Sequence, residues 1–149
     1  MRLFTAVTLG DALTARAEQG IERLRAHAPD AKWVRPEGVH LTLLFLGDVD
    51  PSCESLLQEA LAPVGTRHAP FMLSVGGGGT FGAPEHPSVL WADVHGEVAA
   101  LKALQADIAA ALEPLGFTSE HAGYTAHLTL ARARRPHGDP ALAACARML

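Results

Sequence analysis

The apolar run from Leu3 to Leu9 predicts a strand, and Leu13, Ala17, Ile21 and Leu24 then recur at helical spacing. A second strand is predicted at His40-Leu41-Thr42-Leu43. His40 and Thr42 share one face of it, because side chains two apart on a strand point the same way. Asp50-Pro51 reads as a helix start: the aspartate caps, and proline takes the first helical position, where a missing N–H costs nothing. Phe71-Met72-Leu73-Ser74-Val75 predicts a further strand. The series then begins again. The segment 89–94 is strand-like, and Leu101, Leu104, Ile108 and Leu112 form a helical stripe. His127-Leu128-Thr129-Leu130 repeats the tetrapeptide, and Asp139-Pro140 repeats the helix start.

The offset between the two histidines, 127 − 40 = 87, brings strand, helix and tetrapeptide into register, and Asp-Pro nearly so. Three features agreeing at one offset, with a fourth within two residues of it, predict a duplicated unit. Its halves would pack about a pseudo-two-fold axis that brings the two HLTL strands together across one cleft. The expected fold class is α+β: two pseudo-symmetric lobes of antiparallel sheet and helices around a central cleft carrying two HxT motifs, with residues 1–149 as a single bilobal domain. The counterpart of Phe71 would lie at 71 + 87 = 158, past Leu149. The domain is therefore expected to be C-terminally incomplete, with an uncovered sheet edge.

Composition narrows the classes. A chain of 149 residues is one domain by size. With 19% charged and 5% aromatic residues, its core must be built mostly from Leu, Ala and Val. No apolar run reaches the roughly 20 residues of a membrane helix. Gly10-Asp11 ends the N-terminal run after about seven residues, the lower limit for a signal sequence. Cys53 and Cys145 fall on predicted helices without CxxC spacing and read as free thiols, which points to a cytoplasmic protein. The net charge of −4 argues against a wrapper of long RNA. It favours a small nucleic-acid ligand, or positive charge gathered locally, as in Arg132, Arg134, Arg135 and His137.

Two imidazoles and two hydroxyls facing each other match the needs of a phosphate ester. Opening a 2′,3′-cyclic phosphate takes a base to accept a proton from water and an acid to protonate the departing sugar oxygen, and histidine serves either role near neutral pH. His127 is assigned as base and His40 as acid, although the symmetry of the halves leaves that order open. Thr42 and Thr129 would hold the non-bridging oxygens. No third His, Cys or carboxylate has ligand spacing for zinc, so neither metal nor cofactor is expected. Gly76-Gly77-Gly78-Gly79 lacks the Gly-Lys-Ser/Thr ending of a phosphate loop and reads as a place of flexibility or close backbone approach. Tyr124, three residues before His127, is a candidate to stack on a base. Arg132 is a candidate phosphate ligand. Regular alternation puts it on the face opposite His127 and Thr129, unless a bulge beyond Ala131 returns it. Trp33 and Arg35 are rim candidates.

These residues carry a resemblance. MRLFTAV, WVRPEGVHLTLLFLGDV, FMLSVGGGGTFG, VLWADV and HLTLARA together resemble the two-histidine (2H) phosphoesterases, in the branch called 2′-5′ RNA ligase or RNA 2′,3′-cyclic phosphodiesterase. The resemblance implies two α+β lobes, His40 and His127 as the catalytic pair, and Thr42 and Thr129 as phosphate anchors. It implies hydrolysis of RNA or nucleoside 2′,3′-cyclic phosphate to a 2′-phosphate. The alternatives are ATP-independent 2′-5′ RNA ligation at the same site and a non-catalytic binder of nucleotides or RNA ends. The expected partners are RNA ends or small cyclic nucleotides, with no membrane, no metal and a monomeric state. One departure is Ala126, where the family usually has proline.

Overall fold

Residues 1–118 and 124–149 are described in the structure, a computed structural model. The strands are β1 (Arg2–Thr8), β2 (Lys32–Trp33), β3 (His40–Asp48), β4 (Leu73–Ala83), β5 (His86–Gly96) and β6 (His127–Arg132). The helices are α1 (Asp11–Arg25), α2 (Glu54–Thr66), α3 (Val98–Leu112) and α4 (Pro140–Ala146). Among the described residues the strands form one sheet in the order β1-β3-β6-β5-β4, with β2 added against β6. The fold is α+β with antiparallel pairing of β6 to β2, β3 and β5.

Both Asp-Pro signals start helical structure as expected. The Asp50 carboxylate accepts the Ser52 N–H at 2.9 Å, opening a 3-10 turn that runs into α2. The Asp139 carboxylate accepts the Ala141 N–H at 3.0 Å at the start of α4. One strand differs from expectation. β4 does not occupy 71–75 but begins at Leu73 and continues through all four glycines to Ala83. The glycine run is therefore part of a strand that neighbours β5, with Gly77 in the left-handed region at φ 72°.

The chain divides into two compact units, and they are not the two halves of the sequence. The first comprises 1–6, 42–74 and 95–125, and the second 7–41, 75–94 and 126–149. Shifting α1 by 87 gives α3, and shifting α2 gives α4. Yet α2 and α3 share the first unit, and α1 and α4 share the second. Each unit thus takes a first helix from one repeat and a second helix from the other. In the first unit α2 packs on α3, whose Leu101, Ile108 and Leu112 are buried with Leu57 and Val64. Asp107 clamps the end of α2: Arg67 Nη2 lies 2.8 Å from one carboxylate oxygen and His68 Nε2 2.8 Å from the other. In the second unit Ile21, Leu24, Leu142 and Cys145 are buried together with Leu41, Leu90, Leu128 and Ala131. The Cys145 thiol reaches the Leu24 carbonyl, and both cysteines are free thiols. Leu13, assigned to the apolar stripe of α1, is instead exposed and borders an apolar groove with Leu9, Ala17 and Leu149.

Candidate active site

Leu41 lies directly across the β3–β6 ladder from Leu128. Because 128 − 41 is again 87, each leucine faces its own repeat mate, and the local two-fold passes between them. The antiparallel register puts His40 opposite Thr129. Residues directly opposite project from the same sheet face. Thr129 shares that face with His127, two positions along the same strand. His40, Thr129 and His127 therefore stand on one face, with the two histidines on the diagonal of the pair, where neighbours are about 7–8 Å apart and their β-carbons somewhat closer. The intervening leucines turn the other way: Leu41 and Leu128 are buried, while the three polar residues are half-buried. Leucine between histidine and threonine is what fixes this, since a one-residue slip would bury the imidazoles. Thr42 continues β3 on the same face as His40 and begins the other unit.

A turn fixes the ring of His40. Pro36-Glu37-Gly38 forms a 3-10 turn just ahead of β3. The Gly38 carbonyl emerges from it 2.7 Å from His40 Nδ1. A carbonyl only accepts, so Nδ1 carries the hydrogen in this contact.

His127 is fixed by aromatic packing. The ring of Phe81, on β4, meets it edge-on, with centroids 5.1 Å apart. Trp91, on β5 opposite Thr129, lies 6.2 Å away and packs on Phe81 at 5.3 Å. Asp93 stands directly across β5–β6 from His127. The glycines make this wall possible. A β-carbon on Gly79 would fall 2.6 Å from Cζ2 of Trp91, and one on Gly78 would overlap the Trp91 carbonyl oxygen. Of the two readings given to Gly76–Gly79, close approach is realised at Gly78 and Gly79, whereas Gly76 and Gly77 have nothing within 4 Å of a missing β-carbon.

Arg132 reaches the histidine face through a bulge. Trp91 pairs with Thr129 but Leu90 pairs with Ala131, so Leu130 is an extra residue in β6. Leu130 and Ala131 are consequently both buried, and the alternation resumes one step late. Arg132, opposite Val89, emerges on the face of Trp91, Thr129 and His127. Regular alternation is therefore corrected, and the bulge lies before Ala131 rather than beyond it. The first copy shows the same burial sequence, with Leu43 and Leu44 both buried and Phe45 exposed.

Tyr124 and Trp33 are placed by other contacts. The Tyr124 hydroxyl donates to the Thr42 carbonyl at 2.7 Å, and burial pushes its pKa up to about 12. Trp33 faces the core side opposite Ala131 and donates its indole N–H to the Ala28 carbonyl at 2.8 Å, so it is not a rim residue. Arg35 is exposed at the start of the 3-10 turn.

Two His-x-Thr strands side by side in an α+β sheet agree with the resemblance drawn from the sequence. The chain belongs to the 2′-5′ RNA ligase superfamily, whose sequence profile matches residues 12–148. It is 41% identical over 124 residues to an RNA 2′,3′-cyclic phosphodiesterase of Geobacillus stearothermophilus, covering 80% of this chain and 39% of that one. It is 34% identical over 141 residues to an RNA 2′,3′-cyclic phosphodiesterase of Archaeoglobus fulgidus, covering 95% of this chain and 77% of that one. The chain thus spans well under half of the first relative's length. Among solved structures, TT0787 of Thermus thermophilus superposes with a TM-score of 0.75 at 29% identity, covering 91% of this chain and 76% of that one. E. coli LigT in complex with 3′-AMP shares the fold, with a TM-score of 0.65 at 23% identity, covering 91% and 73%. Among the described residues no helix is long and apolar enough to cross a membrane.

Proposed function

We propose that this protein hydrolyses RNA or nucleoside 2′,3′-cyclic phosphates to 2′-phosphates, using His40 and His127 as its acid and base. The observation that carries this reading is the register that sets Leu41 against Leu128 and so puts both histidines on one sheet face. Two relatives bearing the name RNA 2′,3′-cyclic phosphodiesterase support the substrate class.

In the proposed reaction His127 takes a proton from water as its oxygen attacks phosphorus. The bond from phosphorus to the 3′ oxygen breaks in line, and His40 gives its Nε2 proton to that oxygen. Atoms balance: water adds across one P–O bond, and the histidines end with their protonation states exchanged. Thr129, between the imidazoles, donates its hydroxyl to a non-bridging oxygen, and Thr42 supplies the equivalent donor from the other copy. These donors hold phosphorus where attack is in line, which lowers the barrier through positioning. Incubation with each of the four nucleoside 2′,3′-cyclic phosphates, followed by chromatographic identification of the isomer, tests the reading. The expected product is the 2′-phosphate; absence of turnover on all four, or a 3′-phosphate, overturns it.

A further inference from the structure

We propose that Lys32 and Arg132 form a second anion subsite, on the same sheet face as the two histidines, that takes the phosphodiester next to the reacting phosphate of an RNA strand. The inference rests on the function proposed above and names the form of substrate that the site favours.

Lys32 lies directly opposite Arg132 in the β2–β6 ladder, so the two cations project side by side from one face. Both are exposed, and their neighbours Trp33 and Ala131 turn toward the core. Like charges directly opposite each other destabilise a strand pair. Among the described residues neither has an ion-pair partner; the salt bridges are those of Asp107. Asp93 is the carboxylate on this face of β5, and it lies four residues along from Val89, the position opposite Arg132. At about 3.3 Å per residue that is roughly 13 Å, too far for a direct pair. The arrangement is therefore a local cost without an internal offset, and an anionic ligand is what offsets it.

The bulge specifies where that ligand lies. Without the extra residue Leu130, Arg132 would point into the core with Ala131 turned outward. With it, Arg132 stands opposite Lys32 on the face of Thr129 and His127. Along β5 the row of Arg132 is two residues from the row of Thr129, about 7 Å. That separation is comparable with the spacing of successive phosphates along a single strand. A phosphate between His40 and His127 thus leaves its chain neighbour within reach of the Lys32–Arg132 pair. Arg134 and Arg135, exposed in the bend that follows β6, continue the positive charge outward in a protein whose net charge is −4. A mononucleotide has no second phosphodiester and leaves the pair unused.

The test compares kcat/KM for a nucleoside 2′,3′-cyclic phosphate with that for a trinucleotide ending in the same group, in wild type, Lys32→Gln and Lys32→Arg. Loss of one charge-assisted phosphate contact is expected to lower trinucleotide kcat/KM about tenfold more than mononucleotide kcat/KM. Lys32→Arg should restore the discrimination. The slope of log KM against log salt for the trinucleotide should flatten by about 0.7 in Lys32→Gln. Equal losses on both substrates, or no loss on either, overturn the subsite while leaving the hydrolytic function standing. If wild type turns over neither substrate, the function falls first. The subsite is then read from anisotropy of a labelled trinucleotide 2′-phosphate: a several-fold weaker Kd in Lys32→Gln supports it, and an unchanged Kd overturns it.

Discussion

Nδ1 of His40 lies 2.7 Å from the carbonyl oxygen of Gly38, in a turn that Pro36 opens immediately before the strand. The carbonyl accepts, so the hydrogen of this ring sits on Nδ1. The rings of Phe81 and Trp91 pack against the ring of His127. The two halves are thus alike in strand and motif, and the contacts described around each ring come from different elements: a turn carbonyl at His40 and aromatic rings at His127.

The division of labour has a chemical test. Replacing the departing 3′ oxygen of the cyclic phosphate by sulfur gives a leaving group that departs without a proton. His40→Ala should lose about 10²–10⁴-fold on the oxygen substrate. On the sulfur substrate it should recover to within roughly tenfold of wild type, because the general-acid contribution is no longer needed. His127→Ala should be slow on both. Rescue of His127→Ala instead would reverse the assignment of acid and base.

Gly79 is expected to be intolerant because of the indole beside it. Its missing β-carbon would meet Trp91 at 2.6 and 2.9 Å. Gly79→Ala should cost about 1–3 kcal/mol of stability through overpacking. It should also slow turnover by displacing Trp91 from His127. Gly76 has nothing within 4 Å of its missing β-carbon, so Gly76→Ala serves as the control. Denaturant titration and kcat of the two variants check this; equal stability of both would show that the Trp91 contact does not constrain β4.

Tyr124 is the one tyrosine of the chain, so its ionisation can be followed by absorbance without ambiguity. Burial raises its pKa to about 12 from an ordinary 10.0. The folded state therefore holds the phenolic proton more tightly than the unfolded chain does. That contribution is whole below pH 10 and is lost as pH climbs toward 12. Titration of the phenolate absorbance should show a midpoint near 12 with accompanying unfolding. A midpoint at the ordinary 10.0 in folded protein would mean that the phenol is not buried as described.

The Asp107 clamp should reveal itself at the acid end. Hydrogen bonds from Arg67, and then from His68, hold the Asp107 carboxyl below its ordinary 3.8. A lowered carboxylate contributes stability above its unfolded pKa, and the contribution is lost as pH falls through the lowered value. Asp107→Asn should therefore melt below wild type at neutral pH and converge with it in strong acid. The gap should narrow in about 1 M salt, because the pair is at the surface. A gap that persists in acid would assign it to packing rather than charge.

The sequence carried the strand–helix–motif repeat and the shared face of the two histidines plainly, because both rest on local periodicity and one constant offset. The interleaving of the repeats was hidden. Nothing in the apolar stripes of α1 and α3 says which partner helix each will cover, and that choice is tertiary. The bulge was half visible: Leu43-Leu44 and Leu130-Ala131 are consecutive apolar pairs on strands that otherwise alternate, a sign of an extra core residue in each copy. Asp93, Phe81 and Trp91 were missed as neighbours of His127 because cross-strand register decides their places. Lys32 was missed because β2 is two residues long and carries no periodicity to read.

The most direct measurement of the central claim is turnover of a nucleoside 2′,3′-cyclic phosphate by His40→Ala and by His127→Ala, each confirmed as folded by circular dichroism. Two imidazoles acting on one phosphorus require both variants to fall by about 10²–10⁴-fold. Hydrolysis at the wild-type rate by either variant would contradict the account.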